Sequence, residues 1–210
     1  MYKEGYGNIP NKDKVKCMLD EAFRENPGQW IIHSHVIGKT CEKIAKEIGL
    51  DPEIAYAVGC LHDIGKAYGY EDLAHMMEGY RILRFESYFY PARIALGHGF
   101  ATDDFESYHG KTNVSERDQE FIRDYLKKRD IDIYEKLVIL LDNLIKDKYL
   151  GLEEREALRN IPQSHERKDR LEILKAWQDE FEKNLEKPIK AYLPRLRYYK
   201  FPYKLLRNEK

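Results

Sequence analysis

An all-α fold is predicted by three features of the sequence. Apolar residues recur at three- and four-residue spacing through most of the chain, which is the period of a helix with one buried face. Helix stop and start residues flank several of these stretches, among them Gly49 after one helix and Asp51-Pro52 before the next. No stretch shows the alternation of a half-buried strand. We therefore expect one helical bundle, because an all-helical chain of 210 residues can bury a single core.

The N-terminal segment 1–28 is predicted to form an arm followed by an amphipathic helix. Glycine and proline in the first ten residues favour a loop. A helix is expected from Lys12, and Pro27-Gly28 ends it. Its buried face consists of Val15, Met18, Leu19 and Phe23.

The second predicted helix carries two histidines on different faces. His33 lies one turn before Ile37 and shares an apolar face with it. His35 points roughly 200° away from His33, because each residue of an α-helix turns by about 100°. We therefore expect His33 to face the core and His35 to be a solvated or packed surface residue. A histidine on an apolar face is more often a packed core residue than a ligand, so His33 alone does not indicate a site.

The third predicted helix brings a histidine and a carboxylate to one turn. Its apolar stripe leads to His62-Asp63, and we expect Gly65 to end the helix in the left-handed conformation. Lys66 would then emerge into a loop beside these two side chains. The stripe consists of Ile54, Ala57, Val58 and Leu61.

Two more histidines belong to the helices that follow. His75 precedes Gly79 by one turn, and Gly79 permits another backbone to approach closely. A short helix after Pro91 is expected to carry His98 and to stop at Gly99. Residues 100–117 are polar and rich in turn residues, without a helical period, and such long loops often serve as lids or binding loops.

An aspartate interrupts the most apolar run of the chain. Helices are predicted at about 115–129 and 131–147, and the second contains Asp142 within the run 137–145. An ionised carboxylate inside an apolar run costs several kcal/mol unless a cation or a hydrogen-bond network compensates it. A metal ion would compensate it. Alternatively, Asp142 caps the next helical segment or faces water.

The C-terminal segment 151–210 is predicted to be a helical extension packed on the core. Charged residues dominate it up to about residue 187, and Trp177, Phe181 and Leu185 form a thin apolar stripe. Residues 187–210 mix basic and aromatic side chains, which favours a strap whose aromatic residues pack on the domain. The same mixture can bind single-stranded nucleic acid, but we do not expect a nucleic-acid partner.

Composition restricts the class of protein. The 36 basic and 37 acidic residues give a net charge of −1, which argues against a basic nucleic-acid coat protein. The three cysteines form no C-x-x-C pair and suggest buried thiols in a reducing compartment. No apolar leader and no run of ~20 apolar residues is present. We expect a cytoplasmic protein without a membrane partner, and no particular oligomeric state is predicted.

Six residues stand out together as candidate metal ligands. Each lies on the buried stripe or at the end of a predicted helix, and four imidazoles with two carboxylates in one core would be unstable without a cation. Imidazole and carboxylate without thiolate suit iron, manganese, zinc, nickel or cobalt, so one or two divalent ions are expected. The six are His33, His62, Asp63, His75, His98 and Asp142.

From about His33 to Lys148 the chain resembles the HD-domain superfamily of metal-dependent phosphohydrolases. The resemblance rests on a histidine in one helix, on His62-Asp63-Ile64-Gly65-Lys66 at the end of the next, and on a distant Asp142. Segment 29–150 would be the metal-binding core of this superfamily. The flanking sequences Gly49-Leu50-Asp51-Pro52-Glu53 and His75-x-x-x-Gly79 also match.

The resemblance implies a role for each candidate ligand. His75 and His98 correspond to ligands of a second ion, with Asp63 as the bridge between two ions. Where cyclic-dinucleotide phosphodiesterases carry two adjacent histidines, this chain has His98-Gly99. A single histidine there is more similar to the bacterial hydrolases that split diadenosine tetraphosphate symmetrically. The primary ligands that the resemblance implies are His33, His62, Asp63 and Asp142.

The activity that the resemblance implies is hydrolysis of a nucleotide or another small phosphorylated metabolite by metal-activated water. Asp63 would be catalytic through the metal, and Lys66 would bind a phosphate oxygen and assist catalysis, unless it is an ordinary exposed lysine. His109 and Lys111 could close over a phosphorylated substrate; alternatively, the loop that carries them is an ordinary solvated loop. Arg81 and Arg84 are expected to be surface charges. The alternatives are a two-iron oxygenase that uses the same six ligands, and a non-catalytic sensor domain.

Overall fold

The computed structural model of the chain describes residues 1–146, 148–158 and 165–194. The regular secondary structure of these residues is helical, apart from one short antiparallel pair of strands and an isolated bridge between Ile145 and Tyr149, which confirms the predicted all-α class. The strands are β1 (Tyr2–Lys3) and β2 (Gly7–Asn8), and 3₁₀ helices span Ile64–Tyr68, Phe105–Ser107 and Ile189–Tyr192. The α-helices are α1 (Lys12–Glu25), α2 (Gln29–Glu47), α3 (Pro52–Leu61), α4 (Asp72–Phe85), α5 (Phe89–Gly97), α6 (Glu116–Lys128), α7 (Ile133–Leu144), α8 (Leu152–Leu158) and α9 (His165–Glu182).

The N-terminal arm is a hairpin rather than a loop. β1 pairs with β2, with Tyr2 opposite Asn8. The ammonium group of Lys3 lies 2.7 Å from a carboxylate oxygen of Asp51 and 2.8 Å from one of Glu53. Strands of two residues are too short to show an alternating pattern, so the sequence could not indicate them.

Helices α2 and α3 pack closely because glycines replace side chains where they meet. A Cβ atom at Gly59 would lie 2.8 Å from the Cα atom of Gly38. Helix α2 also contacts α7 and the 3₁₀ helix Ile189–Tyr192. With neighbours around it, α2 buries His35, which is only 2% exposed. The prediction of a surface position for His35 is therefore wrong.

Gly65 does not end a helix in the left-handed conformation, as the sequence suggested. It lies within the 3₁₀ helix Ile64–Tyr68, and the left-handed residue is Gly69, with φ of 78°. A Cβ atom at Gly65 would lie 2.5 Å from the backbone nitrogen of Gly79 and closer still to the carbonyl oxygen of His75. The absence of a side chain at Gly65 therefore lets α4 approach, as expected for Gly79, and Lys66 lies in a short helix rather than a loop.

The predicted loop 100–117 is anchored by its own apolar residues. Phe100 and Phe105 are buried, and their rings stack with centroids 5.9 Å apart. Both belong to a small second core that includes Leu73, Met76, Ile122 and Leu126. Helix α5 begins at Phe89, before Pro91, and α7 ends at Leu144 rather than near 147.

The C-terminal extension contacts α7 through a buried arginine. Arg170 of α9 is 2% exposed and donates hydrogen bonds to Glu156 of α8 at 2.8 Å and to Asn143 of α7 at 2.6 Å. The basic and aromatic strap lies largely at 195–210, outside the described residues. Within the described part of the chain, no helix has the length and apolarity that crossing a membrane requires.

The cysteines follow the prediction of buried thiols only in part. Cys41 and Cys60 are buried, and burial raises the pKa of the Cys60 thiol to about 12. Cys17 is exposed on α1. The sequence did not distinguish it from the other two.

Candidate metal centre

Asp63 lies at the centre of the candidate site, between the end of α3 and the 3₁₀ helix that follows. Its carboxylate is 4% exposed. One oxygen, Oδ1, lies 3.0 Å from Nε2 of His75 and 3.5 Å from Nε2 of His98. The other, Oδ2, lies 3.6 Å from Nε2 of His62. Two groups with metal-ligand spacing share this residue: His33, His62 and Asp63, and Asp63, His75 and His98.

Asp142 completes the first group from α7. Its Oδ1 atom lies 3.0 Å from Nε2 of His33 and 3.9 Å from Nε2 of His62. The helix ends two residues later, at Leu144, with Ile145 as its C-cap, so Asp142 does not cap a helix. The structure thus brings all six predicted residues together, from α2, α3, α4, α5 and α7.

Backbone carbonyl groups orient three of the four imidazoles. His62 and His98 occupy the C-caps of α3 and α5, and each Nδ1 donates to the carbonyl three residues earlier, at 2.7 and 2.8 Å. His33 donates through Nδ1 to the carbonyl of Lys146 at 3.1 Å. A donating Nδ1 leaves Nε2 without a proton in the neutral ring, so the lone pairs point at the carboxylates.

This arrangement fits a bound cation. Nε2 of His62 is fully buried and has no hydrogen-bond partner, and the same holds for Nδ1 of His75. The lone pair of His62 faces carboxylate oxygens of Asp63 and Asp142, at 3.6 and 3.9 Å, which is unfavourable unless a positive charge lies between them. The donor set contains imidazole and carboxylate, and no thiolate belongs to either group.

The electrostatics of the site keep the donors in the state that metal binding requires. Burial lowers the pKa of His62 to about 4 and also lowers the pKa of His75, although Asp63 opposes the shift in both. Burial raises the pKa of Asp63, but Lys66 and His62 together hold it well below its usual range. Neutral imidazoles and an ionised carboxylate at pH 7 are the forms that bind divalent ions.

His33 and Asp142 behave as a coupled pair. Burial raises the pKa of Asp142, but the hydrogen bond and charge of His33 lower it below its usual range. Burial lowers the pKa of His33, but Asp142 outweighs this effect and the pKa is raised. The pair therefore retains an ionised carboxylate beside His62.

Lys66 lies at the site, but its ammonium group already has a partner. Nζ is 2.8 Å from Oδ2 of Asp63, and the lysine side chain is 18% exposed. The backbone carbonyl of Lys66 accepts a hydrogen bond from Asn26 at 2.6 Å, which fixes the short helix against the end of α1. Lys66 is therefore not an ordinary exposed lysine.

A cavity of about 290 Å³ opens onto the centre. Asp63, His75, His98 and Asp142 line it, together with Lys66. The loop 100–117 contributes Tyr108, His109 and Gly110 to its wall. Lys111 is exposed and does not line the cavity. Arg81 and Arg84 are exposed, as expected for surface charges.

Two arginines in the cavity wall were missed by sequence reasoning. Arg155 of α8 and Arg170 of α9 line the cavity, whereas the sequence indicated only that charged residues dominate the extension up to about residue 187. A weak signal existed for Arg170, since it precedes Leu174 by four residues and so shares the helix face of Phe181. No pattern in the short helix α8 distinguishes Arg155 from its charged neighbours.

Comparison with known proteins gives a family match and partial relatives. A family model described as the HD domain matches residues 30–147. Ribonuclease Y of Mycoplasma mycoides is 44% identical over 72 residues, which span 33% of this chain and 17% of that protein. Ribonuclease Y of Lactobacillus helveticus is 36% identical over 76 residues, 35% of this chain and 14% of that protein. The corresponding protein of Mesoplasma florum is 36% identical over 76 residues, 35% of this chain and 15% of its own. No solved structure matches the chain.

Proposed function

The chain belongs to the HD domain family, and we propose that it is a metal-dependent phosphohydrolase. Its substrate would be a phosphoester or phosphoanhydride of a nucleotide or another small phosphorylated metabolite. The observation that carries the proposal is the position of Asp63, whose carboxylate is common to two groups of metal-ligand spacing. A cavity large enough for a phosphate group opens on this residue.

The proposed ligands are assigned to two ions according to the two groups that share Asp63. His33, His62, Asp63 and Asp142 would hold one ion, while His75 and His98 would hold a second, with Asp63 bridging the two. Iron, manganese, zinc, nickel and cobalt all accept such nitrogen and oxygen donors. When bound, such ions lower the pKa of coordinated water toward about 7 and polarise phosphoryl oxygens. The carbonyl groups that accept from Nδ1 of His33, His62 and His98 keep the imidazoles oriented for this task.

Lys66 is the proposed phosphate contact of the core. An ammonium group has three hydrogens, and in this structure Asp63 occupies one of them. The remaining donors can bind a phosphate oxygen in the cavity that Lys66 lines. Because Asp63 already holds the ammonium group in place, Lys66 loses little further side-chain entropy when it donates a hydrogen bond to phosphate. Lys66 would therefore stabilise charge on the phosphate without leaving its partner.

The test is metal analysis combined with an activity screen. Protein purified without oxygen would be assayed for bound metals and for phosphate release from nucleotides and dinucleoside polyphosphates. We expect Asp63→Ala to lose metal and to lose activity by at least about a hundredfold, because even supporting residues of metal sites contribute ten- to a hundredfold. Asp124→Asn, on the exposed face of α6, is the control and should match the wild type. Unchanged metal content and activity in Asp63→Ala would rule out the site.

RNA is a second candidate substrate, and the relatives favour it. The partial relatives are named ribonuclease Y, and a ribonuclease acts on RNA. A net charge of −1 favours the small substrate instead. Single-stranded oligoribonucleotides with a labelled end should be included in the same screen. If they are cleaved while no nucleotide is hydrolysed, RNA replaces the small metabolite as the substrate.

Oxygenase activity and a non-catalytic sensor role give opposite results in the same experiment. Hydrolysis should proceed at the same rate without oxygen. Oxygen uptake coupled to loss of a substrate would identify the oxygenase, whereas metal-dependent ligand binding without turnover would identify the sensor. The proposed function requires phosphate release under anaerobic conditions.

A further inference from the structure

We propose that Arg155 binds a phosphate group of the substrate other than the one that reacts at the metal centre, and so selects substrates with two or more phosphates. The inference rests on the proposed function of the same cavity. Arg155 lies in α8, C-terminal to residues 30–147 that the family model matches. It lines the cavity together with Asp63, His75, His98 and Asp142.

Arg155 differs from the other cations of the cavity because no anionic side chain among the residues that the structure describes pairs with it. Lys66 is paired with Asp63 at 2.8 Å, and Arg170 is paired with Glu156 at 2.8 Å. Among the described residues no carboxylate forms an ion pair with Arg155, including the cavity residues Glu71 and Asp72. Its Nε atom is buried and lacks a hydrogen-bond partner. A buried guanidinium nitrogen left unpaired is costly, and an anionic ligand would remove the cost.

Arg155 stands apart from the proposed metal ligands within the same cavity. Its guanidinium group forms no ion pair with Asp63 or Asp142, although both carboxylates line the cavity. If the reacting phosphate of a substrate lies at the metal centre that these carboxylates form, a different part of the same substrate would contact Arg155. Guanidinium groups bind phosphate oxygens in a planar, two-point geometry, which suits a neighbouring phosphate.

The position of Arg155 is fixed by its neighbours in the extension. The adjacent Glu156 is buried and engaged by Arg170, so it is not available to neutralise Arg155. Arg170 also donates to Asn143, which directly follows Asp142 on α7. These bonds connect α8 to the helix that carries a proposed ligand. Helices α8 and α9 thus present Arg155 to the cavity, and within the described ranges 1–146, 148–158 and 165–194 no carboxylate forms an ion pair with it.

The test is equilibrium binding of inorganic pyrophosphate and inorganic phosphate to the metal-loaded full chain by calorimetry. We expect Arg155→Gln to weaken pyrophosphate binding about ten- to a hundredfold, the effect of removing charged hydrogen bonds, and to change phosphate binding less than about threefold. Arg155→Lys keeps the charge but not the two-point geometry, so its pyrophosphate affinity should lie between those of the wild type and Arg155→Gln. Arg117→Gln, an exposed arginine, is the matched control. Metal content and melting temperature are measured for every variant.

The second readout is steady-state kinetics on a nucleoside diphosphate or triphosphate that the protein hydrolyses. Arg155→Gln should raise KM by a similar factor while changing kcat by less than about threefold, as expected when ground-state and transition-state binding are lost equally. If Arg155→Gln unfolds, Arg155→Lys decides: a pyrophosphate affinity lower than that of Arg117→Gln supports the inference, and an equal affinity overturns it.

The outcomes separate this inference from the proposed function. If Arg155→Gln binds pyrophosphate as Arg117→Gln does, or if the wild type does not bind it, the inference is wrong even where Asp63→Ala abolishes hydrolysis. If pyrophosphate binding is lost in Arg155→Gln but no phosphate compound is hydrolysed, the proposed function fails and the phosphate site stands.

Discussion

At the scale of single residues, the candidate site depends on the carbonyl groups that accept from Nδ1 in three of its four imidazoles. His62 and His98 are both C-cap residues that donate to the carbonyl three positions earlier, so the same local geometry aims both rings at Asp63. The sequence predicted the six ligands from their placement at helix ends and on buried faces. It could not predict these carbonyl contacts, because a C-cap conformation depends on the backbone that follows.

The two groups around Asp63 predict that different single substitutions remove different ions. His33→Gln should remove one ion and leave the other, because His33 belongs only to the group with His62 and Asp142. His98→Gln should remove the ion of the other group. Elemental analysis of metal per chain, expected near two for the wild type and near one for each variant, is the measurement.

His35→Gln is the control for both substitutions. His35 is buried on the same helix as His33 but belongs to neither group, so the metal content should not change. An equal loss of bound metal in all three variants would indicate general unfolding rather than two ion sites.

At the scale of elements, close backbone contacts determine where the histidines lie. The 3₁₀ helix Ile64–Tyr68 touches α4 because Gly65 has no side chain, and this contact holds His75 near Asp63. The sequence indicated Gly79 as a point of close approach but gave Gly65 the role of a helix stop. A glycine after a helix fits either role, and only the packing of α4 distinguishes them.

Gly65→Ala should therefore destabilise the fold more than Gly79→Ala. The new Cβ atom at position 65 would collide with α4 backbone atoms, whereas at position 79 the nearest atoms are the Cβ of Ala95 at 3.3 Å and the nitrogen of Gly65 at 3.4 Å. Overpacking of this kind costs roughly 1–3 kcal/mol or more. Urea denaturation of the two variants gives the difference, and equal stabilities would contradict the role assigned to Gly65.

A second contact between elements anchors the loop beside the cavity. Arg129, at the end of α6, donates to the carbonyl groups of Gly97, Phe100 and Thr102 and pairs with the fully buried Glu135 at 3.0 Å. Arg129→Met should cost about 3–5 kcal/mol, because it removes the nearer of the two arginines that pair with this buried carboxylate, Arg93 at 3.4 Å being the other, and also removes the donor to three carbonyl groups. Thermal unfolding should show a fall of roughly 6–20 °C for a chain of this size.

Lys175→Met is the matched control for Arg129→Met. The Lys175 side chain pairs with Glu153 at the surface, with exposures of 47% and 73%. Exposed pairs contribute at most about 1 kcal/mol, so the melting temperature should change little. A similar decrease in melting temperature for both variants would show that the buried Arg129 stabilises the fold no more than an exposed ion pair does.

At the scale of the whole molecule, the C-terminal extension and the family core share one cavity. The helical class and most of the core helices could be predicted from periodicity, because one buried face leaves a clear pattern. Arg155 and Arg170 could not be identified as cavity residues from sequence. Their position depends on how α8 and α9 pack against α7, and charged residues on a helix otherwise indicate a solvated face.

The extension should therefore matter for stability as well as for substrate choice. Arg170→Met would leave Glu156 without its bond at 2.8 Å and Asn143 without its bond at 2.6 Å, in a buried environment. We expect a loss of about 3–5 kcal/mol in the free energy of unfolding. Arg117→Met, at an exposed position, should lie within about 0.5 kcal/mol of the wild type in the same denaturation experiment.

The most direct test of the central claim is a crystal structure of the metal-loaded protein with anomalous scattering recorded at the absorption edge of the bound metal. We expect two anomalous peaks that share Asp63, one contacted by His33, His62 and Asp142 and the other by His75 and His98. A metal-loaded crystal with no anomalous peak at Asp63 would contradict the assignment of this cluster as the catalytic metal centre.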